Sequence, residues 1–147
     1  MHKGLICGLG MLLILVGADL HAQASIKVPI QRLSKTSGQL LYSLYASAEG
    51  FPDQPKKAFR MGAVPVHAAQ LTLSIESIPA GTYALAVIHD QNGNGKLDKN
   101  NLGIPIESVG FSNNVMGAFG PPKFQRARFN VLPGKNELTP IRLRMGQ

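Results

Sequence analysis

The residues most suited to chemistry are gathered in one stretch: His89-Asp90-Gln91-Asn92-Gly93-Asn94-Gly95-Lys96-Leu97-Asp98-Lys99-Asn100-Asn101. Oxygen-bearing side chains recur at every second position, at Asp90, Asn92 and Asn94. Gly95 follows where a tight loop must turn, Lys96 offers a backbone carbonyl, and Asp98 stands ninth from Asp90. This is the spacing of a calcium loop, since Ca²⁺ takes about six to eight oxygens at about 2.3–2.6 Å. The twelfth position is Asn101 rather than a bidentate Glu, two early ligands are neutral, and Lys96 and Lys99 oppose a cation. Binding there would be weak, on the order of 10⁻⁴–10⁻³ M. The same residues also suit a metal-free turn. Asn and Gly tolerate positive φ, and Asp and Asn side chains bond nearby backbone amides.

Other chemistry is poorly served. Asp90, Asp98 and Glu107 could supply the paired carboxylates of glycoside hydrolysis, but acids in a Gly/Asn loop suit a turn or a cation better. The chain has no Gly-x-Ser-x-Gly nucleophile elbow. No residue is assigned a catalytic role, Ca²⁺ is the one candidate cofactor, and the expectation is a non-enzymatic interaction or accessory module. His89 shares strand parity with Tyr83, Leu85 and Val87, so it should face inward as a hydrogen-bonded structural residue, with Asp90 on the opposite face. Phe111 and Phe119 either line a shallow carbohydrate groove or pack. Gly110–Asn114 could fold back over the loop.

A second constellation is Arg126, Arg128, Arg142 and Arg144. The runs Ala127/Phe129/Val131 and Ile141/Leu143/Met145 alternate with these arginines and read as two strands. Pro133-Gly134-Lys135-Asn136 links them as the turn of a hairpin. All four guanidiniums would then share one solvent face. Like charges on paired strands repel by up to about 1 kcal/mol per opposed pair. Such a face favours an anionic glycan or lipid headgroup. It lacks the interleaved aromatics of single-stranded nucleic-acid sites.

Period-2 alternation runs through the rest. Leu71, Leu73 and Ile75 alternate with polar residues, so one face should be buried. Thr82–His89 is apolar at both parities and should be a central strand covered on both sides. Earlier strands are expected near Ile26–Leu33 and Gln39–Ala46, a short one at Val64–His67, and a long loop over Gly50–Gly62. Pro79-Ala80-Gly81-Thr82-Tyr83 should deliver Tyr83 as the tie of a sandwich corner. The fold class is therefore all-β, an antiparallel Greek-key β-sandwich of about seven strands.

Residues 1–24 read as a signal peptide: Lys3, the apolar run Leu5–Gly17, and Ala22-Gln23-Ala24 before a cut at Ser25. The apolar run is shorter than the roughly 20 residues of a membrane span. Cys7 stands too early in it to be a lipidated cysteine. Cleavage would leave one domain, 25–147, without cysteine, with 14 basic and 7 acidic residues. The expected address is exported, periplasmic or extracellular, with no membrane span after cleavage.

An ordered series of motifs resembles one bacterial exported family, domain of unknown function 2141. The series is Gly81-Thr82-Tyr83-Ala84, His89-Asp90-x-Asn92-x-Asn94-Gly95-x-Leu97-Asp98, Leu102-Gly103-Ile104-Pro105-x-Glu107, Gly110-Phe111-Ser112-Asn113-Asn114 and Gly120-Pro121-Pro122-x-Phe124. The resemblance spans nearly the whole mature chain. It implies a secreted or periplasmic β-sandwich with no established activity. Gln125-Arg126-Ala127 departs from it, since the family often carries an acidic pair there, and the segment is correspondingly more basic.

Overall fold

The computed structural model of the chain describes residues 23–145, and apart from Gln23 and Ala24 the leader-like segment lies outside them. Nine strands form two sheets: β1 (Gln23–Gln31), β2 (Gln39–Tyr45), β3 (Arg60–Pro65), β4 (Leu71–Pro79), β5 (Gly81–Asp90), β6 (Val109–Phe111), β7 (Phe129–Val131), β8 (Gly134–Glu137) and β9 (Ile141–Arg142). The first sheet has the order β4-β1-β8, with β9 also on β1; the second has the order β3-β2-β5-β6, with β7 also on β5. The result is the expected antiparallel-rich β-sandwich. No helix among the described residues is long and apolar enough to cross a membrane.

The core between the sheets follows from strand alternation. Ile26, Val28 and Ile30 of β1 and Leu73, Ile75 and Ile78 of β4 meet Leu40 and Leu44 of β2 and Tyr83, Leu85 and Val87 of β5. The β5 residues of the other parity, Ala84 and Ala86, are buried too. They lie under a second apolar cluster with Tyr45, Val109, Phe111, Phe124 and Ala127, against which Phe51, Val115 and Met116 pack. The central strand is thus covered on both faces. Phe51 sits at the centre of that cover, its ring edge-on to Tyr45, Phe111 and Phe124 at centroid distances of 5.3, 6.2 and 5.9 Å.

Two details of the early chain differ from the sequence reading. β3 starts at Arg60, earlier than Val64, and the preceding loop contains a 3-10 turn at Pro55–Lys57. Gly62 lies opposite Tyr42, and a Cβ there would come within 2.7 Å of the Tyr42 hydroxyl. The ring covers a glycine, so the strand runs through a residue that sequence propensity treats as a breaker.

The larger correction concerns the C-terminal third, which does not form a hairpin. β7 pairs antiparallel with β5, whereas β8 and β9 pair parallel with β1 in the other sheet. Pro133 has no N–H for a ladder, and Gly134 has φ +90°. The Asn136 amide donates to the carbonyls of Leu132 and Gly134, and to Ser25 of β1 at 3.2 Å. The chain therefore arches from one sheet to the other instead of doubling back. Residues 141–144 then sew the sheets together: Leu143 N donates to Gln31 O, and Val109 and Arg144 exchange both backbone bonds at 2.8 Å. The split into short strands accounts for nine where about seven were expected.

The sheet-switching corner at Pro79-Ala80-Gly81 behaves as read. The Tyr83 hydroxyl donates to Pro79 O at 2.9 Å. Burial pushes the Tyr83 phenol pKa up, opposed by Arg60, so the hydroxyl stays a donor. Tyr83→Phe should lower stability by about 1 kcal/mol with the fold retained. Urea unfolding measures this directly, and an unchanged midpoint would remove the hydroxyl from the corner's energetics.

Candidate functional site

The segment from Asp90 is set by the register of β5 on β2. Gln39 pairs with Asp90 across the two strands, which places the side chains together. Gln39 Nε2 donates to Asp90 Oδ2 at 2.8 Å. Oδ2 also accepts Gly95 N at 2.8 Å, and Oδ1 accepts Gly93 N at 2.8 Å and Asn94 N at 3.2 Å. Asp90 is wholly buried, and these four donors match the roughly four acceptor sites of an ionised carboxylate. Burial by itself raises its pKa, but the bonds from Gln39 and from the Gly95, Gly93 and Asn94 amides outweigh it and hold the group below the usual carboxylate range.

The other loop side chains converge on Asp98. Asn92 Nδ2 donates to Asp98 Oδ2 at 2.6 Å, and Asn94 Nδ2 donates to Oδ1 and Oδ2 at 2.8 and 2.9 Å. The Asn oxygens bond backbone: Asn92 Oδ1 accepts Asn94 N, and Asn94 Oδ1 accepts Lys96 N, both at 3.1 Å. Gly93 and Gly95, at φ +73° and +78°, supply the left-handed residues that this winding requires. The loop thus gathers Asp90, Asn92, Asn94 and Asp98 as its spacing suggested. Its residues bond one another and the backbone.

Glu107 is the residue whose part was least visible. A second turn, closed by Asn100 Oδ1 accepting Leu102 N and Ile104 N, returns the chain to the loop's base. There Glu107, buried, accepts Gln91 N at 2.9 Å through Oε1 and Asp98 N at 3.1 Å through Oε2. It clamps both ends of the loop. The spacing of Asn100 from Leu102 was the signal available for that turn, and nothing in the sequence tied Gln39 to Asp90.

His89 is wholly buried and faces the other way, as its parity required. The Ser37 carbonyl only accepts, so Nε2 donates to it at 2.8 Å, and Nδ1 accepts the Ser34 hydroxyl at 3.2 Å. These bonds pin the β1–β2 link to the end of β5.

The hairpin expected to align the four arginines does not form, and the segments that carry them lie on different elements. Arg126 lies on a single helical turn, α1 (Phe124–Ala127), and Arg128 just after it. The segment is helical because Phe124 and Ala127, three apart, both bury into the outer cluster. Arg144 is opposite Val109, a member of that cluster, so it takes the outer face of the second sheet, whereas Arg142 lies on β9, opposite Gln31 of β1 in the first sheet, at the seam between the two. Asn113 and Asn114, both at positive φ, stand between the two pairs. Asn113 Nδ2 donates to the carbonyls of Arg126 and Arg128, and Asn114 Oδ1 accepts Arg142 N at 2.8 Å. These Asn residues therefore bind the arginine segments, not the Asp90 loop. All four arginines are exposed, and among the described residues the ion pair found is Lys57 with Glu49. The two candidate aromatics part company here: Phe111 packs in the outer cluster, and Phe119 is fully exposed.

Residues 28–139 match the family described as an uncharacterized protein conserved in bacteria, DUF2141. The chain belongs to that family. No curated protein and no solved structure matches it. The matched DUF2141 region covers β5, the Asp90–Asp98 loop, Glu107 and α1, while Arg142 and Arg144 lie beyond it. The loop thus lies within the matched region, and two of the four arginines lie outside it.

Asp90→Ala in this DUF2141 chain should cost about 3 kcal/mol, because charged hydrogen bonds are lost and their donors are left to find water. The pH dependence has a definite sign. A carboxylate with a depressed folded pKa contributes stability above the unfolded value, about pH 4, and loses it as pH falls through the folded value. The wild type should weaken below pH 4 through this group, and Asp90→Ala should lack that part of the acid limb. Superimposable acid limbs would show that Asp90 is not the linked group.

Proposed function

We propose that this chain is an exported, non-enzymatic interaction module that engages an anionic partner through Arg126, Arg128, Arg142 and Arg144. The observation that carries the reading is that Asn113 and Asn114 tie together the main chain at Arg126, Arg128 and Arg142, and that all four arginines are exposed and without a carboxylate partner among the described residues. Guanidiniums bind phosphate, sulfate and carboxylate as planar, bidentate forks. Left facing water they repel one another, and an anionic glycan or lipid headgroup relieves that repulsion. Export rests on the leader-like character of residues 1–24. The non-enzymatic part rests on the loop carboxylates, which are occupied by amide donors instead of being poised in a cleft.

Reversing Arg126 and Arg142 to Glu should abolish salt-sensitive retention on heparin, used as a polyanionic probe, with little change in melting temperature because both residues are exposed. Retention identical to wild type would remove the reading.

A second reading concerns the loop. Asn92 and Asn94 both end on the Asp98 carboxylate. Turning each carboxamide so that its oxygen faces that point exchanges its bond from Asn94 N or Lys96 N for a bond to the cation. Asp98, Asn92, Asn94 and the Lys96 carbonyl would then hold a weakly bound Ca²⁺, with Asp90 bracing the loop through its amide bonds. Ca²⁺ at about ten times Kd should stabilise the chain by roughly 1.4 kcal/mol, reversed by EDTA and absent in Asp98→Asn. No rise in melting temperature in tens of millimolar Ca²⁺, well above the weak range of such loops, would sink it.

A further inference from the structure

Phe119 is the most exposed large apolar side chain among the described residues. A lone exposed aromatic is ordinary. What distinguishes this one is how it is held. It stands at the tip of the turn Gly117-Ala118-Phe119-Gly120-Pro121-Pro122. A Cβ on Gly117 would fall 1.8 Å from the Gly120 carbonyl, so the turn closes on itself too tightly for any other residue. Gly120 has φ +135°, and the two prolines that follow restrict the exit. Both feet of the turn are anchored: Val115 and Met116 pack against the outer cluster, and Pro122 and Phe124 are buried. The chain therefore displays a phenyl ring to water on a braced support instead of folding it down onto the adjacent apolar cluster.

Exposed cations follow Phe119 closely in the chain. Lys123 and Arg126 follow the turn directly and are exposed, Arg128 follows them, and Arg144 takes the outer face opposite Val109. An apolar tip followed in the chain by exposed guanidinium and ammonium groups is complementary to a surface that is anionic outside and apolar beneath. We propose that the Gly117–Pro122 turn inserts Phe119 into an anionic phospholipid surface while the arginines take the phosphate headgroups. This rests on the arginine reading above and names its partner. A polysaccharide fits the tip less well. A sugar ring stacks on an aromatic face within a concave, hydrogen-bonding wall, whereas Phe119 projects, and the space beside Gly120 is open. Insertion of one ring with several interfacial cations gives a reversible, salt-sensitive attachment.

The chain contains no tryptophan, so Phe119→Trp introduces a single reporter at a position where nothing is packed. Its emission should shift to the blue on adding vesicles of phosphatidylcholine mixed with phosphatidylglycerol, and not with phosphatidylcholine alone. Phe119→Ala should weaken vesicle binding by roughly tenfold and leave heparin retention unchanged. Arg126→Ala with Arg128→Ala should weaken vesicle binding by roughly thirtyfold at low salt. An unshifted emission with the arginine-dependent heparin retention intact overturns the insertion and leaves the arginine reading standing. Equal binding to both kinds of vesicle overturns the anionic partner. Loss of neither heparin nor vesicle binding in the arginine variants overturns both.

Discussion

β5 is apolar on both faces, and a strand at the middle of a sheet can bury both only if something covers the second. One face is satisfied by the opposing sheet, through Tyr83, Leu85 and Val87. The other needs a lid, and the described structure supplies it from loops, not from a third sheet. The chain between β5 and β7 wraps the outer face with Val109, Phe111, Phe124 and Ala127, and Phe51 joins from the link before β3. Ser112 nails this cover to β5, accepting Leu85 N at 2.9 Å and donating to Ala127 O at 2.6 Å. The Asp90 loop, the Asn113–Asn114 turn and α1 all sit where they do because that face had to be closed.

A cover made of loop must satisfy its own backbone, since buried amides without partners are costly. That explains the side-chain chemistry of the segment. Asp90, Glu107, Asn100 and Ser112 each accept from backbone N–H groups. Asn113 and Asn114 supply donors to backbone carbonyls. What reads in the sequence as a run of candidate ligands is, in the first instance, the set of hydrogen-bonding groups that lets an irregular segment lie against an apolar sheet.

Period-2 patterning revealed the parts of the fold that obey it. The inward residues of β1 and β4, the double burial of β5, the Tyr83 corner and the inward His89 all follow from parity and local turn chemistry. The failures have a common cause. The Ala127/Phe129/Val131 and Ile141/Leu143/Met145 runs alternate correctly, but parity does not say which strand is the neighbour, and Pro133, Gly134 and Asn136 serve an arch between sheets as readily as a hairpin. At Phe124–Ala127 a spacing of three competed with the alternation and won, because both side chains had an apolar cluster to enter. The loop's internal contacts followed from its spacing, whereas Gln39 on Asp90 depends on a strand register that spans 51 positions in the chain.

The same economy of acids produces the basic face. Of the seven acidic residues between positions 23 and 145, Asp90, Asp98 and Glu107 are engaged by amide donors inside the loop, and Glu49 pairs with Lys57. Backbone amides are fixed in place by the winding they stabilise, so they hold a carboxylate at less entropic cost than a long, mobile guanidinium does at the surface. Arg126 and Arg128 rest on that loop-built cover, and Arg142 and Arg144 border it at the seam between the sheets. Closing the second face of β5 with self-bonded loops thus draws three of these acids away from the surface cations, and Phe119 stands at the tip of one of those loops.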